Sequence, residues 1–404
     1  MADELNKINF SRNEKFIFSF TIAGLIYSII SNSYFDTNGF LTSDSTHFLK
    51  LAQSLKNYNG FHVYSWTNSG IKNFFSTWPV GYPLLIFLVS KISQLSVFWS
   101  SKLLNIICAI LIIFSVKRYL KVGFSIIGIL FLSGSFLNIF SYTLTESLFA
   151  LGLILYILRI YELENFQSKR NLLYVFFAFV LTFTSRYIGA YLLIFNLLLI
   201  FQALGKNKKY PKYLTALLIS SSIYVLIYLL MNKISSGYIT YPHAYITYEL
   251  WQDISVQFIK KILEEFNLVM ASVRLNQNLM VSISSSALSL YLAYSLTKHL
   301  LKNKIADLSL NNISNKFLSS GILYLAIVFL WRLTIWFSPF SYRILFPSTL
   351  LIALGLLFKF LSRENMYSKE FNKIYLILCV TAIFSFSFNI VYKQYSYTEI
   401  NYNK

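Results

Sequence analysis

Long apolar runs separated by short polar connections cover most of the chain, from Phe16 to Tyr392. A membrane-spanning helix needs roughly 20 consecutive apolar residues, so the pattern predicts an all-α polytopic membrane protein with about eleven transmembrane helices. The predicted spans lie at 16–34, 98–116, 121–140, 144–162, 171–186, 188–204, 213–232, 277–297, 317–338, 344–361 and 374–392. The apolar segment 82–92 is too short to cross and is expected to form a half-buried or re-entrant helix.

The two longest polar connections, 35–80 and 233–276, each contain an amphipathic stretch at helical spacing. The apolar positions of these two stretches are Phe48, Leu51, Ala52 and Leu55, and then Ile254, Phe258, Ile262, Phe266 and Met270. We therefore expect two helices that lie along a membrane surface rather than across it.

Composition supports a single integral membrane domain over 1–404. Hydrophobic residues make up 56% and charged residues 13%, with a mean hydropathy of +0.57, whereas soluble domains carry about 25% charged residues. A soluble globular protein is excluded. Both cysteines, Cys108 and Cys379, lie within apolar runs, so neither a disulfide framework nor a metal-binding cluster is indicated.

The net charge of +19, from 35 basic and 16 acidic residues, follows membrane topology. With a cytoplasmic N-terminus, the short inner connections are rich in lysine and arginine. The outer turn 141–143 contains no basic residue and the outer turn 339–343 contains one, as the positive-inside rule expects. Nucleic-acid binding is disfavoured because the basic residues are scattered and no recognition motif accompanies them. In this orientation 35–80 and 233–276 face the outside.

Two carboxylates stand at the outer membrane boundary, where an ionisable side chain is a candidate for function. Asp44 opens the first amphipathic helix, and Glu146 begins the fourth span. Each also has a purely structural interpretation. Asp44 can satisfy backbone amides at a helix N-terminus, and Glu146 can complete a capping box that starts at Thr143.

Three arginines are placed to face the same boundary: Arg343 at the start of the tenth span, Arg186 at the break between two short spans, and Arg332 near the end of the ninth. A guanidinium can hold two phosphate oxygens and stays charged in a low-dielectric site. Snorkelling towards the interface is the alternative for Arg186 and Arg332.

Four segments together resemble the GT-C glycosyltransferases, and more narrowly the bacterial relatives of dolichyl-phosphate-mannose protein mannosyltransferases and lipid A aminoarabinose transferases. The segments are SDSTHFLKLA at 43–52, WPVGYPLL at 78–85, TESLF at 145–149 and YRILFP at 342–347. One departure is that a single Asp44 is followed by His47, where many members have a second acidic residue or a tyrosine. No resemblance covers 205–316.

The resemblance implies transfer of a sugar from a polyprenyl phosphate outside the bacterial cytoplasmic membrane. Asp44 would be the catalytic base with Glu146 assisting, and Arg343, with Arg186 or Arg332, would hold the donor phosphate. Contacts with acceptor or sugar are expected from His47, Trp78 and Tyr82, although a solvated histidine and an interfacial tryptophan are the plainer interpretations. No zinc site is predicted and no cofactor is indicated with certainty, while a divalent cation between Asp44 and the phosphate is left open.

The leading hypothesis is therefore an inverting glycosyltransferase, whose acceptor is a hydroxyl of an envelope glycan, lipid or protein. A second hypothesis is an envelope polysaccharide polymerase or ligase, which would need outer arginines but no carboxylate in the first loop. A lipid-linked glycan transporter ranks last, because acidic residues are absent from the middle of the spans and no two-fold repeat is visible.

Overall fold

A computed structural model of the chain describes residues 12–64, 72–120, 125–132, 134–204, 209–240, 245–246, 249–267, 279–336, 339–363, 373–383 and 385–387. These residues form a bundle of α-helices. In chain order the helices are α1 (Arg12–Phe35), α2 (Ser43–Lys56), α3 (Gly81–Ser93), α4 (Val97–Lys117), α5 (Ser125–Phe131), α6 (Gly134–Ser141), α7 (Glu146–Asn165), α8 (Lys169–Ser185), α9 (Tyr191–Ala203), α10 (Tyr210–Ser236), α11 (Trp251–Phe266), α12 (Leu279–Lys302), α13 (Leu308–Thr334) and α14 (Tyr342–Leu361). Residues 373–383 are also helical.

Strands are minor features of the described part of the chain. In the first long loop, β1 (His62–Tyr64) pairs antiparallel with β2 (Lys72–Phe74). In the second, β3 (Tyr245–Ile246) pairs antiparallel with β4 (Ile335–Trp336), which directly follows α13. The second pairing ties the second long loop to the end of a bundle helix.

Membrane-spanning character is clear for five helices in the described residues, which are long and apolar enough to cross a bilayer. They are Phe16–Phe35, Val97–Lys117, Tyr210–Ser236, Leu308–Thr334 and Tyr342–Leu361. The chain is thus a helical multi-pass membrane protein, while eleven crossings stay a prediction.

The other predicted spans correspond to shorter or more polar helices. Within the span predicted at 121–140, the described residues form the short helices α5 and α6, while 121–124 and 133 lie outside the described residues. The break predicted after 186 is present, because a single 3-10 turn, Tyr187–Ala190, separates α8 from α9.

Contacts between helix termini define the two ends of the bundle. At one end, which we call the site end, lie the first residues of α7 and α14, together with α2. At the opposite end, which we call the far end, Glu164 near the end of α7 pairs with Lys316 near the start of α13. Both amphipathic helices pack at the site end, since α11 contacts α13 and α14 and its Phe258 ring lies 5.0 Å from that of Phe340.

The centre of the core is α7, which packs against α4, α8, α13 and α14 and buries most of its residues. Its Gly152 faces Thr182 of α8 so closely that a Cβ would lie 2.5 Å from the threonine hydroxyl. Only glycine permits this approach. The close packing holds α7 and α8 side by side, so that the first residue of α7 and the last residues of α8 reach the site end together.

Candidate active site at one end of the bundle

Asp44 lies in the first turn of α2, but it does not cap the helix. Thr42 is the N-cap, accepting from the Ser45 amide, while the Ser45 hydroxyl accepts from the Thr42 amide. Asp44 therefore does not cap α2, although its place in the first turn complements the helix dipole as the structural interpretation expects. The buried face of α2, formed by Phe48, Leu51 and Ala52, fixes the helix on the bundle as the amphipathic pattern predicted, and Asp44 is left pointing towards α14.

The turn before α3 explains why the first loop meets the end of α8. Gly81 lies against Thr184, where a Cβ would come within 2.7 Å of the backbone oxygen. The Val80 amide donates to the Tyr228 hydroxyl at 3.1 Å, and the Tyr187 hydroxyl donates to the Ser76 carbonyl at 2.7 Å. These contacts hold the turn next to Arg186.

Glu146 is the first residue of α7, and its side chain is 1% exposed. Thr143, the partner in the predicted capping box, instead shares a hydrogen bond with Ser101 at 2.8 Å. Glu146 accepts from the Arg186 guanidinium at 2.7 Å and from Nε of Arg343 at 3.3 Å. The helix-capping interpretation of Glu146 is therefore wrong, and its carboxylate joins two arginines.

Arg343 completes the arrangement from the first turn of α14. Its Nη2 donates to Oδ2 of Asp44 at 2.8 Å while its Nε faces Glu146. Asp44, Arg343, Glu146 and Arg186 thus form one continuous chain of charges, which we call the Asp44 cluster. Its members come from α2, α14, α7 and the turn after α8, so residues up to 299 positions apart meet here.

The Asp44 cluster combines two cations with two carboxylates, so its formal charges balance. Glu146 is sealed inside, whereas the side chains of Asp44 and Arg343 are 29% and 27% exposed. The accessible part therefore pairs one carboxylate with two guanidiniums, since the Arg186 side chain is also 23% exposed. This pairing can accept a proton from a hydroxyl and can stabilise an oxyanion, since an arginine fork matches phosphate oxygens.

His47 lies one helical turn after Asp44 and stacks on Trp78, with ring centroids 4.6 Å apart. Burial, followed by the charge of Lys50, lowers the pKa of His47 to about 4, although Asp44 opposes the shift. His47 is therefore neutral at pH 7. Contrary to the plainer expectation of a solvated histidine, its side chain is largely buried. Trp78 is half-buried beside it and also contacts the rings of Phe48 and Phe75.

Tyr82 is fully buried, and its hydroxyl donates to Oδ1 of Asn105 at 3.0 Å. The Ser147 hydroxyl donates to the same oxygen at 2.6 Å, while the Asn105 amide group donates to the carbonyls of Phe140 and Tyr142. The expected contact between Tyr82 and acceptor or sugar is not supported by this placement. Tyr82 instead ties α3 to α4 and to the residues that precede α7.

Arg332 does not join the Asp44 cluster. Its side chain is fully buried and donates to Oε1 of Glu249 at 2.6 Å. The residue is thus placed to attach the second long loop to α13, next to the β3–β4 pairing. The expectation that Arg332 holds the donor phosphate is not supported, because the guanidinium has no accessible surface, and snorkelling is not observed.

Lys102 is a further charged residue that the sequence reasoning missed. It is buried within α4 and donates to the Ser141 carbonyl at 2.7 Å and to the Phe40 carbonyl at 3.4 Å. An ionisable residue inside a predicted span was the available signal. Lys102 holds the segment before α2 against the end of α6 and so helps to place Asp44.

Metal ligands do not gather in the described part of the chain, where no three histidine, cysteine, aspartate or glutamate side chains come together. Within the Asp44 cluster both carboxylates face arginines. A cation between Asp44 and a bound phosphate stays an open expectation.

Comparison with known proteins returns no matching family model and no matching curated protein. Among solved structures, the archaeal oligosaccharyltransferase AglB from Archaeoglobus fulgidus, in complex with an inhibitory peptide and a dolichol-phosphate, is similar at 15% identity and a TM-score of 0.42. That alignment covers 97% of this chain and 52% of AglB.

A second structure of the Archaeoglobus fulgidus oligosaccharyltransferase, tethered to an acceptor peptide, is similar at 13% identity and a TM-score of 0.41 over 94% of this chain and 54% of the enzyme. This chain spans about half the length of these proteins.

Proposed function

We propose that this protein is an inverting glycosyltransferase that moves a sugar from a polyprenyl-phosphate donor to a hydroxyl of an envelope glycan, lipid or protein. The observation that carries the proposal is the partly exposed pair of Asp44 and Arg343, joined through Glu146 to Arg186. A proton acceptor and two phosphate-binding cations are the groups that this transfer needs, and here they lie within one connected cluster.

In the proposed reaction, Asp44 accepts the proton of the acceptor hydroxyl as the oxygen attacks the anomeric carbon. The bond from that carbon to the phosphate oxygen breaks, and its electron pair leaves with the polyprenyl phosphate. Arg343 stabilises the negative charge that develops on the leaving oxygen, because guanidinium groups bind phosphate oxygens strongly where water is excluded. A single displacement inverts the anomeric configuration and requires no covalent intermediate.

Glu146 and Arg186 form the fixed framework of this site. The buried Glu146 carboxylate holds both guanidiniums by direct hydrogen bonds, so neither arginine needs to reorganise extensively when phosphate arrives. Preorganised charge of this kind is a major source of catalytic power. The half-buried Trp78, held in place by its stacking on the neutral and largely buried His47, supplies an aromatic surface for the acceptor or the sugar.

The proposed location is the bacterial cytoplasmic membrane, with the site end outside and the N-terminus in the cytoplasm. The termini of bundle helices at the far end carry Lys117, Lys169, Arg170, Lys302 and Lys359. Positive charge concentrates on the cytoplasmic side of membrane proteins. The site end would then face the compartment in which polyprenyl-linked sugars are used for envelope assembly.

The direct test is Asp44→Asn, assayed with radiolabelled polyprenyl-phosphate sugars and total membrane acceptors. Loss of the base is expected to reduce transfer by about 10²–10⁴-fold, while the variant inserts and unfolds like the wild type. Asp253→Asn is the matched control, because Asp253 lies in the first turn of the other amphipathic helix, is exposed and forms no ion pair among the described residues.

Near-normal transfer by Asp44→Asn would remove Asp44 from the mechanism. If the same protein still required Arg343, the polymerase or ligase hypothesis would take precedence, because that activity needs the arginine without the first-loop carboxylate.

A further inference from the structure

One face of α4 carries buried polar side chains, although the helix is long and apolar enough to cross a membrane. Lys102 is 1% exposed and Asn105 is 0% exposed, and the reaction proposed above uses neither. A charge or an amide inside a membrane helix is costly unless it is paired, and such residues commonly serve a function. Their hydrogen-bond partners lie in the two loops that lead to Asp44 and Glu146.

Lys102 contacts both of these loops at once. Its Nζ donates to the Phe40 carbonyl at 3.4 Å, four residues before Asp44, and to the Ser141 carbonyl at 2.7 Å, just before α7. The Phe40 carbonyl also accepts from the Thr143 amide at 3.4 Å. The two loops therefore meet at a single buried ammonium group, which fixes their separation.

The turn that leads into α2 has a strained backbone. Gly39 and Phe40 have φ values of +64° and +54°, a conformation that suits glycine but is unfavourable for phenylalanine. Asp36 accepts from two backbone amides of the turn at 2.9 and 3.1 Å, and Lys102 holds the carbonyl side. Strain of this kind persists only where several contacts impose it. The turn should therefore relax without the Lys102 contact, and Asp44 in the first turn of α2 would move with it.

Asn105 holds only the loop that leads into α7. Its amide group donates to the carbonyls of Phe140 and Tyr142 at 3.0 and 2.6 Å, and its Oδ1 accepts from the Ser147 hydroxyl at 2.6 Å. These contacts lie on both sides of Glu146 in sequence, and none of them reaches the turn before α2. Glu146 therefore keeps its own anchor when the Lys102 contact is lost.

We propose that Lys102 and Asn105 are positioning residues for the transfer reaction, with Lys102 setting the place of Asp44 and Asn105 that of Glu146. This inference rests on the proposed function, because it takes Asp44 as the base and Glu146 as the carboxylate that holds the arginines. Both side chains are sealed within the bundle and touch no substrate. They should therefore act on different steps, Lys102 on proton removal and Asn105 on phosphate binding.

Lys102→Met tests the first assignment, because it removes the ammonium group and keeps an unbranched side chain. With saturating donor, kcat should fall about 10²-fold, the loss that a misplaced catalytic group can cause. The affinity for polyprenyl phosphate, measured by equilibrium binding, should not fall, because Arg343 and Arg186 keep their bonds to Glu146. Weaker binding by this variant would overturn the assignment. The control is Lys91→Met, an exposed lysine in the last turn of α3.

A double variant separates positioning from a general structural role. If Lys102 acts through Asp44, then Asp44→Asn/Lys102→Met should be no slower than Asp44→Asn alone, because residues that act as a unit have non-additive effects. A further 10²-fold loss in the double variant would mean that Lys102 supports the site in general, and it would overturn the inference.

Asn105→Asp tests the second assignment, since it keeps the acceptor for Ser147 but loses amide donors to the two carbonyls. It should bind polyprenyl phosphate about tenfold more weakly, or about 1.4 kcal/mol, because Glu146 no longer holds Arg343 and Arg186 firmly. The control is Asn165→Asp at the exposed end of α7. Unchanged binding by Asn105→Asp would overturn the division of roles.

Hydrogen exchange distinguishes failure of this inference from failure of the proposed function. Lys102→Met should raise amide exchange in peptides covering 36–42 about tenfold, and Asn105→Asp should do so in those covering 140–147, whether or not sugar is transferred. If the wild type transfers no sugar but this pattern holds, the glycosyltransferase proposal fails and the placement of the two carboxylates stands. If the wild type transfers sugar and the two variants behave alike in exchange and in binding, the positioning roles fail and the enzyme stands.

Discussion

Arg332 lies near the end of α13, and Arg343 lies near the start of the next helix, α14. The surroundings of the two arginines nevertheless differ. The Arg332 side chain is fully buried and pairs with Glu249 of the second long loop, whose side chain is 34% exposed, so that only the guanidinium of this pair is sealed. The Arg343 side chain is 27% exposed and is shared between Asp44 and Glu146. From sequence alone both were candidates for binding the same donor phosphate.

The difference shows how burial separates a structural arginine from one that can bind a ligand. A sealed guanidinium has its hydrogen bonds fixed by the fold, and separating it from its carboxylate costs folding free energy. Arg343 lies at an opening and is also held on its buried side by Glu146. It can therefore exchange its hydrogen bond to Asp44 for one to a phosphate while it keeps the hydrogen bond to Glu146. The two ion pairs should therefore respond oppositely to mutation, one in stability and the other in activity.

The largest expected effect concerns the pair that the sealed Arg332 forms with Glu249. Glu249→Gln should lower the free energy of unfolding in detergent by about 3–5 kcal/mol, because it leaves the buried Arg332 charge without the carboxylate that balances it. The double variant Glu249→Gln/Arg332→Met should recover much of this loss, since it removes the buried charge as well. If the single variant were as stable as the wild type, Arg332 would not be a structural anchor.

The next effect concerns the partly exposed pair of Asp44 and Arg343, which we call the open pair. Arg343→Gln should reduce transfer by about 10³-fold, comparable to the removal of a preorganised oxyanion donor, with little change in the unfolding transition. Arg343→Lys keeps the charge but loses the planar fork, and we expect an intermediate rate. Initial rates with a saturating donor, measured beside thermal unfolding curves, check both variants. A large stability loss without a change in rate per folded molecule would place Arg343 in the same class as Arg332.

Acidification tests the neutral histidine beside the open pair. His47 has a pKa of about 4 in the folded protein against about 6.5 when unfolded. Between these values the unfolded chain binds a proton that the folded protein does not, so stability falls as the pH drops from 6.5 towards 4, by up to about 3 kcal/mol. His47→Gln should remove this part of the pH dependence, and unfolding curves of both proteins over that range isolate it from carboxylate titration. Parallel curves for the two proteins would contradict the buried, neutral state of His47.

Much of the fold and part of the site followed from local sequence patterns. Amphipathic spacing correctly placed the buried face of α2 and the first part of that of α11, where Ile254 is buried and Phe258 and Ile262 are half-buried. Phe266 is exposed instead, and Met270 lies outside the described residues.

The motifs identified Asp44, Glu146 and Arg343, and the break between two spans identified Arg186; the structure brings these four residues together. These residues were accessible to prediction because each stands at a helix terminus or a turn beside an apolar run, where a charge is conspicuous.

The remaining features depend on tertiary contacts that no local pattern encodes. The partner of Arg332 is 83 residues away in sequence, in a loop without a recognisable motif. The full burial of Tyr82 follows from its bond to Asn105 in a different helix.

The smallest effect is also the sharpest test of how the open pair works. Donor phosphate and the Asp44 carboxylate would compete for the Arg343 guanidinium, whose Nη2 lies 2.8 Å from Oδ2 of Asp44. Donor binding would then release Asp44 to act as base.

Asp44→Asn removes one competitor, so the variant should bind polyprenyl phosphate about three- to tenfold more tightly, or about 0.7–1.4 kcal/mol, although it no longer turns over. Equilibrium binding of a radiolabelled lipid to the detergent-solubilised protein measures this gain. Glu249→Gln, which alters the pair with Arg332, should leave the affinity of the folded fraction unchanged. Weaker binding by Asp44→Asn would mean that Asp44 orients Arg343 for the phosphate rather than competing with it, and the carboxylate would then be a positioning residue instead of a base released by the donor.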